Sequence, residues 1–194
     1  MMSGETSVSS MKISRIHITG NAGAGKTTMS KQLGDETGLP VYGLDSIVWE
    51  ARWKKRPKDE RYALEDELIS QTNWIIEGVS DRVRRAADLV IFLDRSRPKC
   101  LIRCFKRSLP YLLHSRPELP DDCPELLIIP KLLEIIWKFP SGVREKIIRD
   151  GQESDKLNYF KRLTTDLEID EFVSSFNLMY DHNDDFSRQA GQVT

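Results

Sequence analysis

Apolar positions along this chain come in two alternating rhythms. Ile13 to Thr19 is rich in β-branched residues, Leu39 to Asp45 is a short extended stretch, and Asn73–Gly78 and Ala87–Asp94 are apolar runs of strand length. Such runs read as strands, the last two buried on both faces. Between them lie segments with apolar residues at helical spacing. Thr27 to Glu36 places Met29 and Leu33 four apart and is closed by Gly38 and Pro40, while Asp59 to Gln71 carries Tyr62, Leu64, Leu68 and Ile69 on an otherwise charged stretch. Pro98 to His114 reads as a helix that Pro110 kinks or ends, and Glu125 to Asp150 as helix broken at Pro130 and Pro140. Asn158 to Leu163 is a last strand, followed by a helix capped by Thr164 or Thr165 and ending near Met179. The β-α-β-α alternation predicts an α/β fold: a parallel sheet with helices on both faces and right-handed crossovers.

The junction of the first strand and first helix carries the sharpest chemistry. Gly20, Asn21, Ala22, Gly23, Ala24, Gly25, Lys26, Thr27 and Thr28 spell Gly-x-x-x-x-Gly-Lys-Thr between a strand and a helix, the setting a phosphate-binding loop requires. Gly20, Gly23 and Gly25 carry no Cβ, so successive backbone N–H groups can turn inward around a phosphate at a helix start. Lys26 would reach the outer phosphates, and the Thr27 hydroxyl is placed to ligate a magnesium ion that keeps several waters.

Composition narrows the class. A chain of 194 residues, 39% hydrophobic and 30% charged, suits one domain. Lys and Arg number 29 against 30 Asp and Glu, so no global basic field recruits nucleic acid. Cys100, Cys104 and Cys123 form no C-x-x-C pair and fit inert thiols in a reducing compartment. No secretory pattern is expected in the polar first ten residues, and the apolar stretch Leu126 to Phe139 is interrupted by Pro130, Lys131, Glu134 and Lys138. The expectation is a cytoplasmic protein, with no membrane span, built as a disordered tail over 1–11, one domain over 12–180 with a lid at about 106–145, and a disordered tail over 181–194.

Taken in order, the Gly20-to-Thr28 loop, Leu44-Asp45-Ser46-Ile47-Val48-Trp49, Trp74-Ile75-Ile76-Glu77-Gly78 and Asp88 to Asp94, then an arginine-bearing helix, resemble the nucleoside-monophosphate-kinase-like branch of P-loop kinases. The likeness is greatest to small bacterial proteins described as topology modulation or FlaR-related, grouped with adenylate kinase, and it spans roughly residues 13–176. It implies a five-stranded parallel sheet in the order 2-3-1-4-5, ATP as phosphoryl donor, and a lid carrying arginines. Glu77 stands where many relatives carry Asp before the glycine.

Phosphoryl transfer asks a protein for charge neutralisation, in-line geometry and exclusion of water. Asp45 is the candidate to orient or deprotonate an acceptor hydroxyl, the role the resemblance to shikimate-kinase-like relatives implies; its plainer reading is a helix cap. Glu77 and Asp94 compete for the magnesium site, with Glu77 preferred because it matches the acid-glycine position; Asp94 would otherwise form an ion pair with Arg95 or Arg97. Arg82, Arg84 and Arg85 follow Gly78 closely, and Arg82 is the choice for an anionic acceptor group. Arg103, Arg107 and Arg116 are the lid candidates, each equally readable as solvated basic surface.

The basic, aromatic stretch Trp49 to Lys58 reads as a substrate-side flap in preference to a base-stacking patch. His17 reads as a packed core histidine, and the helix bearing Trp137 and Phe139 as core or, where exposed, a dimer face. The leading function is therefore ATP- and Mg2+-dependent phosphoryl transfer to a small-molecule or nucleotide acceptor by a monomer or homodimer. The competing function is a nucleotide-binding regulator associated with DNA topology, which the balanced charge disfavours. A GTPase switch ranks last, since no Asn-Lys-x-Asp tetrapeptide is present.

Overall fold

The computed structural model describes residues 13–111, 124–152 and 159–176. From the N-terminal side, β1 (Arg15–Gly20) leads into α1 (Lys26–Thr37), then β2 (Val41–Gly43), α2 (Leu44–Val48), β3 (Trp49–Glu50), β4 (Lys54–Lys55) and α3 (Lys58–Ile69). The chain continues with β5 (Trp74–Glu77), α4 (Asp81–Ala86), β6 (Leu89–Leu93), α5 (Arg97–Ser108), α6 (Glu125–Lys138), α7 (Val143–Gln152) and β7 (Tyr159–Leu163). A last helix, α8, runs over 166–176.

Strands β2-β5-β1-β6-β7 form one sheet, and every pairing in it is parallel. Counted among its own strands, the order is 2-3-1-4-5, as the resemblance implies. Period-2 alternation splits the core into two layers. Ile16, Ile18, Ile75, Leu89, Ile91 and Leu93 face α1, α5 and α8 through Met29, Leu33, Cys100, Cys104, Val173 and Phe176. On the opposite face Trp74, Ile76 and Val90 meet Leu44, Val83 and Leu68, and Phe92 meets Phe139 and Ile147. The helices thus cover both faces.

Three local expectations change. The second strand stops at Gly43 and the chain turns at once into α2, so Asp45 lies in a first helical turn, not at a strand end. Pro130 does not break α6, which runs through it; Ile128 and Ile136 on either side are buried and hold the two halves in line. Phe139 is core, but Trp137 is 65% exposed, with the Arg97 guanidinium 4.8 Å over its ring. Pro110 lies in a short 3-10 turn, Leu109–Tyr111, just past the end of α5. The Thr165 cap is present: its hydroxyl accepts from Glu168 N at 3.1 Å while the Glu168 carboxylate accepts from Thr164 N at 2.6 Å. Both expected tails, and Arg116, His114, Cys123 and His182, lie outside the described residues.

Candidate functional site

The loop between β1 and α1 is shaped by its own backbone and anchored from three sides. Gly23 sits at φ +75°, and a Cβ there would come within 2.4 Å of the Cys100 carbonyl oxygen on α5; only glycine allows that approach. Asn21 is buried and donates through Nδ2 to Ile136 O at 3.1 Å, while its Oδ1 accepts from Ala22 N at 2.8 Å. The loop is thereby tied to α6. Ala24 is turned into the core, and Lys26 Nζ donates back to Asn21 O at 3.1 Å. Gly25, in the left-handed region, starts α1 with no side-chain cap, so the first N–H groups of that helix keep their capacity for an anion.

Across from the loop, β5 delivers Glu77. Its Oε1 accepts from Thr27 Oγ1 at 2.8 Å and passes within 3.4 Å of where a Cβ on Gly43 would stand. The following corner is rigid. Gly78 has φ +140°, a Cβ there would lie 2.7 Å from Leu44 Cβ, and its N–H donates to Ile18 O at 3.0 Å. The Gly78 carbonyl lies 3.2 Å from His17 Nε2. Burial, with the nearby Arg84 charge, pushes the His17 pKa down to about 3, so the ring is neutral and donates its Nε2 proton to that carbonyl. A hydroxyl and a carboxylate brought together at the start of a helix are the hard oxygen donors that magnesium takes while retaining waters.

Asp94 is occupied elsewhere. Its carboxylate receives Arg144 Nε and Nη2 at 2.7 and 2.8 Å and Arg162 Nε at 2.8 Å. Burial alone would raise its pKa, but these hydrogen bonds outweigh burial and hold it below the usual carboxylate range. Arg95 and Arg97, the partners considered from sequence, pair instead with Asp166 and with the Trp137 ring and carbonyl.

A cavity of about 670 Å³ opens over the loop. Gly20, Ala22, Gly23, Gly25, Lys26, Thr27, Thr28 and Glu77 form its floor, and Asp45, Arg103 and Arg107 also line it. Arg103 Nη1 lies 3.5 Å from Asp166 Oδ1 and 3.7 Å from a Cβ built on Gly25, directly above the start of α1. The structure does not bring Arg82 into this cavity. Its guanidinium pairs with Asp66 and lies 4.7 Å over the Tyr62 ring. Arg84, 1% exposed at its side chain, binds Asp81 and Asp150, and Arg85 is exposed.

Three cations in the wall escaped the sequence reading: Lys55 from β4, Arg61 from α3 and Lys131 from α6. Lys55 belongs to the stretch read as a flap, so its signal was present; Arg61 and Lys131 sit among other charges with nothing local to single them out. The flap is the β3–β4 hairpin, whose Trp49 and Trp53 pack edge to face at 5.6 Å and line the cavity.

No protein-family model and no curated protein sequence matches the chain. Among solved structures, a shikimate kinase from Acinetobacter baumannii in complex with shikimate matches with a TM-score of 0.52 at 18% identity, covering 88% of this chain and 95% of that one. A deoxyadenosine kinase from M. mycoides matches at 0.49 and 18%, covering 84% and 98%. At 18% identity the shikimate kinase match shows the fold alone. Its class is an α/β fold shared with that shikimate kinase; its particular form here is five parallel strands in the order 2-3-1-4-5, with the glycine loop following the central strand.

Proposed function

We propose that this protein is an ATP-dependent phosphotransferase whose donor site is the Gly20–Thr28 loop. One observation carries the reading: the Thr27 hydroxyl and the Glu77 carboxylate meet at 2.8 Å on the floor of a cavity that also holds Lys26 and Asp45. The loop N–H groups and Lys26 bind the donor phosphates. Thr27 and Glu77 would hold magnesium, which would supply charge neutralisation on the donor phosphates. Arg103 and Arg107 approach the transferring group from α5 and offset its developing charge. Asp45 orients the acceptor hydroxyl and takes its proton. The fold match to a small-molecule kinase supports phosphoryl transfer in general and leaves the acceptor open.

The direct test is ATP binding by titration calorimetry with and without magnesium. The wild type should bind ATP more tightly when magnesium is present, and Lys26→Ala should lose at least about tenfold in affinity, or about 1.4 kcal/mol, with an unchanged unfolding midpoint. Equal affinity in the two proteins would refute the donor site.

A further inference from the structure

Three cations that line the cavity have no part in the donor site proposed above. Lys26, Arg103 and Arg107 suffice for a triphosphate, yet Lys55, Arg61 and Lys131 also line the cavity, as does Asp45; Lys131 Nζ pairs with Glu134 Oε2 at 2.8 Å and could shift to an anion. Arg61 is set up as a fork: its Nε donates to Arg56 O at 3.1 Å, and among the described residues neither terminal nitrogen has a partner. Two free, coplanar N–H groups on an anchored stem suit a carboxylate or a phosphate bidentately.

Apolar residues of the same cavity limit size. Leu44, Val48, Val79, Trp49 and Trp53 line it together with Asp45. Trp53 is held there under strain. The hairpin pairs Trp49 with Lys55 and Glu50 with Lys54, and its turn puts Arg52 at φ 62° and Trp53 at φ 56°. These are the two non-glycine residues with positive φ among the described residues. Hairpin turns that need this backbone favour Asn-Gly, because a bulky side chain is disfavoured there. What offsets the strain is contact: the Trp53 indole N–H donates to Pro124 O, immediately before α6, at 2.9 Å, and the ring packs against Trp49. The turn fixes Trp53 as a wall between the hairpin and α6. An acceptor that shares a 670 Å³ cavity with the donor's phosphates must be compact, since a cavity of this size holds about one drug-sized ligand in all.

We therefore infer that the acceptor is a compact hydroxylated anion and not a nucleotide. Arg61, with Lys55 and Lys131, grips its anionic group, Asp45 takes its hydroxyl, and Trp53 sets the size limit. The hydroxyl oxygen bonds to the γ-phosphorus of ATP as the bond to the bridging oxygen of ADP breaks; the hydroxyl proton passes to Asp45 and then to water. This rests on the kinase reading above. Carboxylate and phosphate acceptors share the chemistry, and the assay separates them.

The test measures ADP release and product formation with hydroxy acids (glycerate, gluconate), sugar phosphates (ribose 5-phosphate, glucose 6-phosphate) and nucleoside monophosphates (AMP, CMP, GMP, UMP). The expected result is turnover within one of the first two sets and none with the third. Arg61→Lys should then raise the acceptor KM at least about tenfold with the ATP KM unchanged, as a point charge replaces a fork. Trp53→Ala should lessen the discrimination against nucleoside monophosphates, and Trp53→Phe, which keeps the ring, should preserve it. Should Trp53→Ala fail to fold, the Phe and Arg61 variants decide. Turnover of a nucleoside monophosphate by the wild type, an unmoved acceptor KM in Arg61→Lys, or silence across both anion sets would each overturn the assignment. If ATP still binds with magnesium in any of those cases, the donor reading stands while the acceptor class falls.

Discussion

Thr27 and Glu77 are fifty residues apart in sequence and meet because parallel pairing of β1 and β5 sets Ile18 opposite Glu77, carrying the loop and the carboxylate to the same sheet edge. Replacing Thr27 by Val keeps the shape and removes one oxygen. The expected outcome is a roughly tenfold loss of the affinity that magnesium adds to ATP binding, about 1.4 kcal/mol, with magnesium-free affinity unchanged. Calorimetry in the presence and absence of the ion reads the difference. A second consequence at this scale belongs to His17, which supports the Gly78 corner as a neutral, buried ring. The unfolded chain binds a proton near pH 6.5 that the folded chain refuses until about pH 3. Stability is therefore full above pH 6.5 and declines as the pH falls toward 3, by about 1.4 kcal/mol per pH unit from this group. Urea unfolding from pH 7 to 5 should show stability falling with a slope that steepens toward that value, before the carboxylates contribute; a flat profile over that window would contradict it.

At the scale of elements, α4 explains why one candidate was misplaced. It has six residues, and each step turns the side chain by about 100°. Arg82 consequently points to α3 and Asp66, Arg84 is buried against α7 and Asp150, and Arg85 faces solvent. Proximity to Gly78 in sequence carried no information about rotation. Asp150→Asn removes a charge partner of a guanidinium that is 1% exposed; with Asp81 still in place, the expected loss is about 2 kcal/mol, read as a lower urea midpoint at unchanged slope. Strands β1, β5 and β6 were legible because buried parallel strands need continuous apolar or β-branched runs. The five-residue α2 was not, since so short a segment holds too few turns to show a period. The continuity of α6 through Pro130 was also hidden, because burial of Ile128 and Ile136 overrides a local penalty. The glycine loop could be read entirely from local chemistry. Arg61 and Lys131 could not, because what selects them is the cavity they enclose, and that depends on how α3 and α6 pack.

For the molecule as a whole, the sheet edge, the loop, the hairpin and α6 act as one enclosure. Asn21 ties the loop to α6, Trp53 ties the hairpin to the residue preceding it, and Arg97 clasps the start of α5 to the end of α6. No helix among the described residues is long and apolar enough to cross a membrane. Donor and acceptor would share one cavity, so transfer to a bound hydroxyl should outrun transfer to water. Asp45→Asn should lower kcat by about 10²-fold or more while the ATP KM stays within about twofold; an unchanged kcat would leave Asp45 as a first-turn helix residue. Phosphoryl transfer at the Gly20–Thr28 loop is read out by ³¹P NMR of the purified protein with ATP, magnesium and the acceptor panel. A new phosphoester resonance should grow in step with ADP in the wild type and be absent in Lys26→Ala. Inorganic phosphate and ADP with no phosphoester, or the same phosphoester from Lys26→Ala at the wild-type rate, would contradict it.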